Sequence, residues 1–214
     1  MPTAAVREAG EEDAPFIGWA ILAATRSHMP RGWFDIALGL DEEGCLGFTG
    51  ELARSETRSW WHYSNFFIAE CGGMPAAALC AFRAGDGYPL SQAAMNEVAA
   101  RLGWSEPEIG AMWGRSAYLF ACTVETADDV WAIENVATRS EYRGQGLASA
   151  LIDRALAIGR SRALKESQIS VFIGNVAARR AYERAGFHVV DERRSEEFER
   201  ACGVPGLWCL RRSL

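Results

Sequence analysis

Residues 130–173 carry the pattern that most restricts the fold. An apolar run, VWAIENVAT, leads into EYRGQGLASALIDRALAIGR, and the run SQISVFI follows. Short runs rich in β-branched and aromatic residues predict strands. Between them Leu147, Leu151, Ala155 and Ile158 recur at helical spacing, which predicts a helix over LASALIDRALAIGRS. A strand therefore runs into a glycine loop, and the loop opens directly into a helix.

That loop admits two readings. Gly144 and Gly146 could simply permit positive φ in a tight turn. Alternatively the loop binds an anion: the first N–H groups of a helix have no partner within it, and its dipole favours negative charge there. Glycine lets a ligand approach the backbone closely, and Arg143 adds a permanent cation able to hold phosphate oxygens. Gly144, Gly146 and Ser149 also fall near the spacing of a dinucleotide fingerprint, with serine in the third place and Glu166 near the expected acidic position. No G-K-[ST] follows, which excludes a Walker loop.

The rest of the chain fits one mixed α/β domain. TAAVREA predicts a first strand. Asp13 as N-cap and Pro15 in the first turn then start an apolar helix, which SHMPRG ends. FDIALGLDEEG and LARSETRSWWHY suggest one or two further helices. SNFFIAE and PAAALCAFR flank the turn CGGM as a hairpin. Residues 85–128 carry turn signals around two helix-like pieces, AAMNEVAARLG and SEPEIGAMWGR, and are expected as a helical insertion. After SQISVFI comes a short helix, NVAARRAYERAGF, capped by Asn175 and stopped by Gly186, with Ala178, Ala181, Tyr182 and Ala185 on one side. FHVVDE and LWCLRR are final strands joined by a charged connection.

Composition excludes several functions. Twenty-two basic against 28 acidic residues leave a net charge of −6, which argues against nucleic acid or an anionic membrane as partner. The apolar stretches reach about half of the ~20 residues a membrane span needs. The N-terminal residues lack a basic region followed by an apolar run, so no secretory signal is expected. Six cysteines without C-x-x-C pairs or a histidine cluster give no metal spacing and suit reduced thiols in the cytoplasm.

Arg143-Gly144-Gln145-Gly146-Leu147-Ala148 fits R-x-x-G-x-A. After one helix and one strand it is followed by Asn175, Ala178, Tyr182 and Gly186-Phe187 in N-x-x-A-x-x-x-Y-x-x-x-G-F. This series resembles the GNAT superfamily of N-acetyltransferases, closely over residues 130–190. The resemblance implies a central, mostly antiparallel sheet with a splayed parallel pair of strands and helices on both faces. It implies acetyl-CoA as cofactor, with the loop from Arg143 to Ala148 wrapping its pyrophosphate by backbone N–H groups and Ser149 adding a hydroxyl. The backbone of Val136, Ala137 and Thr138 would hold the pantetheine arm and the thioester carbonyl. Asn175 and Ala178 would border the cofactor. Thr138 and Ser140 depart from the family's usual apolar residue and proline, but those contacts are made by backbone.

The reaction so implied is attack of an amine on the thioester, which needs a base, an oxyanion site and an acid for the leaving thiolate. Tyr182 matches the family's acid, although an aromatic on the inner face of a short helix also serves as core packing. Glu134 is the candidate base. Strand alternation puts it on the face of Val136, and an ion-paired strand carboxylate is the other reading. His28, His62 and His188 are weaker alternatives.

Met29, Trp33, Phe34, Trp60, Trp61 and Trp113 fall in the regions that form the acceptor pocket in this family. They suit an apolar or aromatic acceptor, or else a core rich in aromatics. Asp35, Glu51 and Glu134 could attract its ammonium. The acceptor is expected to be a small-molecule or peptide amine. A homodimer would be in keeping with the family. Two rival functions remain: a silent acyl-CoA-binding module, and a dinucleotide-binding oxidoreductase.

Overall fold

In the computed structural model, which describes residues 5–214, the apolar runs become strands of one sheet. The elements are β1 (Ala5–Glu8), α1 (Ala14–Arg26), α2 (Trp33–Leu38), α3 (Glu42–Ala53), β2 (Phe66–Cys71), β3 (Met74–Arg83) and α4 (Ala84–Gly87). They continue with α5 (Ser91–Arg101), α6 (Glu106–Ser116), β4 (Trp131–Thr138), α7 (Leu147–Ser161), β5 (Glu166–Phe172), α8 (Val176–Arg184), β6 (His188–Arg194), α9 (Glu196–Cys202) and β7 (Gly206–Ser213). The first strand is observed from Ala5; Thr3 and Ala4 of the expected run lie outside the described residues.

Among the described residues the sheet has seven strands in the order β1-β2-β3-β4-β5-β7-β6. Every neighbouring pair is antiparallel except β4 and β5. Both faces are covered. Trp131 and Ile133 of β4 point to the layer of α7 and α8, and Ala132 between them points to the layer built from α1, α2, α3, α5, α6 and α9. Leu147, Leu151, Ile152 and Leu156 of α7 are buried against the sheet. Each such side chain contributes roughly 1.5–3 kcal/mol, and together they hold the start of α7 against the end of β4. No helix among the described residues is long and apolar enough to cross a membrane.

Three local expectations change. Asp13 does not cap α1: its carboxylate receives a paired hydrogen bond from Arg7 (2.6 and 2.8 Å) and one from Gly10 N (2.9 Å). A guanidinium in reach outcompetes helix amides for that carboxylate. LARSETRSWWHY forms turns after its first two residues, because the second helix of this region lies upstream at Glu42–Ala53, where Asp41 caps Gly44 N. The charged connection between the last strands contains α9, which buries Phe198 and Cys202. β7 then runs back between β5 and β6.

Candidate active site

The site starts where β4 and β5 part. Their ladder ends at the pair Ile133–Ile169, although β4 continues to Thr138 and β5 to Phe172. On the β3 side Cys80 pairs with Glu134 and Ala78 with Ala137, so Asn135 and Val136 together oppose Leu79. This is a β-bulge, and Asn135 takes a left-handed φ of 53°. The bulge overturns the alternation expected from sequence. Glu134 faces the layer of α1 and the helices after β3, where Tyr88 reaches it, whereas Val136 packs on the α7 side. Asn135 and Val136 have no cross-strand partner in β3 or β5.

Next to this wedge lies the glycine loop. Gly144 and Gly146 adopt φ of 77° and 78°, and no atom lies within 4 Å of a Cβ added at either. The N–H groups of Gly144, Gln145, Gly146, Leu147, Ala148 and Ser149 have no acceptor among the described residues, and no side chain caps α7. The open space and aligned donors suit a diphosphate, so the residues present fit the pyrophosphate of coenzyme A. Arg143 is exposed at the entrance with its Nε 3.4 Å from Thr138 O.

A cavity of about 1490 Å³ joins the loop to the wedge. It exceeds the roughly 300–1,000 Å³ of a single small-ligand pocket. Glu134, Val136, Ala137, Thr138, Arg143, Gly144, Gly146, Leu147, Ala148, Ser149, Asn175, Ala178 and Tyr182 all line it. Gln145 does not; its Oε1 accepts from the Cys71 thiol at 3.8 Å. The side chain of Leu147 is core, so only its backbone serves the loop. Asn175 caps α8 by accepting from Ala178 N (3.1 Å), and its amide donates to Ser27 Oγ (2.7 Å) at the end of α1. It thus ties α1 to α8 across the cavity mouth.

At the inner end Tyr88 donates to Glu134 Oε1 at 2.8 Å. Burial pushes the Glu134 carboxyl up to about 7, and the tyrosine hydrogen bond restrains that rise. Tyr182 is buried, and its hydroxyl has no partner among the described residues. Burial, and then the charge of Glu134, hold its phenol protonated far into the alkaline range. A carboxyl that titrates near neutrality and a phenol that stays protonated, on one cavity, have the opposed proton affinities of a base and an acid.

Tyr88 escaped the sequence reading because GDGYP carries only a turn signal. Its placement depends on Gly87, where any Cβ would collide with the Phe82 ring and with Trp60. Ser91 Oγ then donates to Tyr88 O (2.7 Å) and accepts from Trp60 Nε1 (2.9 Å). Of the apolar and aromatic residues expected near the acceptor, Trp33, Trp60, Trp61 and Trp113 line the cavity; Phe34 is core and Met29 lies elsewhere. Asp35 is committed to Arg26 (2.7 Å) and to Gly32 N, and Glu51 to Arg101 and Arg54. Neither carboxylate reaches the cavity, which leaves Glu134. His28 lines the cavity, His62 is buried against Ser64, and His188 is exposed on β6. Glu166 pairs with Arg211 (3.3 Å) rather than facing the loop.

A mixed sheet that opens beside an amide-lined loop defines the GNAT class of fold. The chain belongs to the GNAT family of acetyltransferases, whose family model matches residues 39–187. Several solved structures share the fold. An acetyltransferase crystal structure superposes with TM-score 0.71 at 19% identity, over 98% of each chain. An N-acetyltransferase from Staphylococcus aureus Mu50 gives 0.68 at 20%, over 97% of this chain and 100% of the other. A polyamine N-acetyltransferase from Drosophila melanogaster, which forms N-acetylagmatine, gives 0.55 at 12%, over 99% and 100%. No curated protein matches the chain.

Proposed function

We propose that this protein transfers the acetyl group of acetyl-CoA to a primary amine of a small molecule or peptide. The observation that carries this reading is the continuity of one cavity from the amide loop at Gly144–Ser149 to the Glu134 carboxylate, with Tyr182 on its wall. Acetyl-CoA supplies an acyl group activated as a thioester. The loop holds the diphosphate by backbone N–H groups, with Arg143 at the entrance. Glu134 accepts the proton of the incoming ammonium. Val136, in the bulge, offers its N–H to the carbonyl oxygen as negative charge develops there. Tyr182 gives its proton to the departing sulfur.

Retention of both an ionisable carboxyl and a free phenol speaks against a silent acyl-CoA-binding module. The pairing of Glu166 with Arg211 speaks against a dinucleotide site. Thermal unfolding with acetyl-CoA, with NAD and with neither separates the three readings. A ligand at 100 times its Kd stabilises by roughly 2.7 kcal/mol, about 5–10 °C for a domain of this size. The expected shift comes with acetyl-CoA, together with thiol release when an amine is added. A shift with NAD alone, or no shift with either ligand, overturns the proposal.

Gly146→Val tests the loop separately. The substitution costs about 1–2 kcal/mol in left-handed backbone, roughly 2–8 °C of melting temperature. It also places two methyl groups in the space assigned to phosphate. Acetyl-CoA affinity is expected to fall at least tenfold in a chain that still unfolds cooperatively; calorimetric titration measures it, and unchanged affinity refutes the loop assignment.

Tyr88→Phe probes the contact to Glu134. Without the hydroxyl the carboxylate loses its stabilising donor, so its pKa rises further above about 7. The acidic limb of the kcat/KM profile is expected to move to higher pH, with activity at pH 7 falling several-fold and recovering at pH 9. A profile superimposable on that of the parent protein would show that Tyr88 does not govern Glu134.

A further inference from the structure

We infer that the acceptor is a monoamine carried on a flat apolar body, an arylalkylamine in chemical class, rather than a polyamine, a sugar amine or a peptide. This rests on the acetyl-transfer reading of the same cavity and adds the identity of its second ligand. Beyond Glu134 the cavity is walled by Trp33, Trp60, Trp61, Tyr88, Trp113 and Phe120. They come from α2, from the turn before β2, from the segment after β3 and from the end of α6 onward; Trp33 and Trp61 belong to the buried core, and Trp60, Tyr88 and Trp113 pack against it at the cavity wall. Trp33 and Trp61 lie nearly parallel, 9° apart, with centroids at 5.8 Å, and Trp60 packs against Trp61 at 4.4 Å. Phe120 is 74% exposed at the rim, an apolar ring left in water beside an apolar chamber.

The polar tips of these rings are withdrawn from a ligand. Trp60 Nε1 is spent on Ser91 and Trp113 Nε1 on Asn96 (2.8 Å), while Trp33 Nε1 and Trp61 Nε1 are buried with no partner among the described residues. These aromatic residues therefore offer a ligand ring faces rather than hydrogen bonds. A hydroxyl-rich sugar or a peptide backbone pressed on those faces would lose its water without replacement. Ring faces do attract an ammonium, and stack on an aryl group.

Charge decides the number of amines. The carboxylates lining the whole cavity are Glu134 and the exposed Glu125 at its rim, while Arg143 and Arg184 line it as cations. Asp35 and Glu51 are held by arginines away from it. One ammonium finds Glu134; a second held among the indoles lacks a carboxylate unless its chain reaches the exposed Glu125 at the rim.

The test is steady-state thiol release at saturating acetyl-CoA with 2-phenylethylamine, tryptamine, agmatine, spermidine, an aminoglycoside and a short peptide with a free N-terminus. The two arylalkylamines are expected to exceed the others at least tenfold in kcat/KM. Phe120→Ala, at an exposed position where folding is safe, is expected to raise their KM several-fold with a smaller change in kcat. Binding of acetyl-CoA with preference for agmatine, spermidine, the aminoglycoside or the peptide overturns the acceptor class and leaves acetyl transfer standing. Acetyl-CoA that neither raises the melting temperature nor is turned over with any amine overturns both.

Discussion

Glu134→Gln is expected to lower kcat/KM for any accepted amine by about 10²–10⁴ at pH 8, the usual contribution of a positioned general base. The amide keeps the shape of the carboxyl and can still accept from Tyr88, so the loss isolates proton transfer. In the parent protein the rate should climb with pH through about 7 as the carboxyl ionises, and in the variant that limb should vanish. Stability moves the other way. A carboxyl raised from 4.5 to about 7 on folding contributes most below pH 4.5, and that contribution is lost as pH rises through 7. Glutamine has no charge to desolvate, so the variant should melt above the parent at pH 8 and at about the same temperature near pH 4. Parent-like kcat/KM at pH 8 in this variant would remove Glu134 from the chemistry.

The second large effect concerns Tyr182→Phe. The ring stays in the core that Tyr182 shares with Leu151 and Phe187, so the fold and the affinity for acetyl-CoA should hold. The proton for the departing sulfur is gone, and kcat should drop by about 10²–10⁴. The dependence on leaving group separates acid catalysis from packing. With an acyl donor whose thiol is more acidic the thiolate needs less help, and the deficit of the variant should shrink. A deficit of equal size for every donor, or none at all, is the result that assigns Tyr182 to packing alone.

Much of this site is written in local pattern. Leu147, Leu151 and Ala155 mark α7, Asn175 and Gly186 bound α8, and Gly144 and Gly146 mark the loop between strand and helix, all within a few turns of chain. Their effects are short-range: backbone φ, unpaired amides and a repeat of 3.6. The hairpin around Gly72 and Gly73 is legible for the same reason. Two errors followed from applying the rules of isolated helices and strands where a side-chain pair or a strand irregularity intervenes. Asp13 was expected to cap α1, but Arg7 takes its carboxylate. Glu134 was expected beside Val136, but the bulge at Asn135 turns the two residues to opposite faces.

The sequence by itself determined the strand, glycine loop and helix of residues 131–161 and the strand and short helix that follow, because each depends on neighbours along the chain. Tertiary structure alone decided what those groups meet. Tyr88 reaches Glu134 across 46 positions, Asp35 and Glu51 are withdrawn by arginines, and tryptophans from separate segments close one chamber. Such contacts are selected by the packing of whole layers, where burial sets the proton affinity of Glu134 and no repeat in the sequence records which side chains will converge.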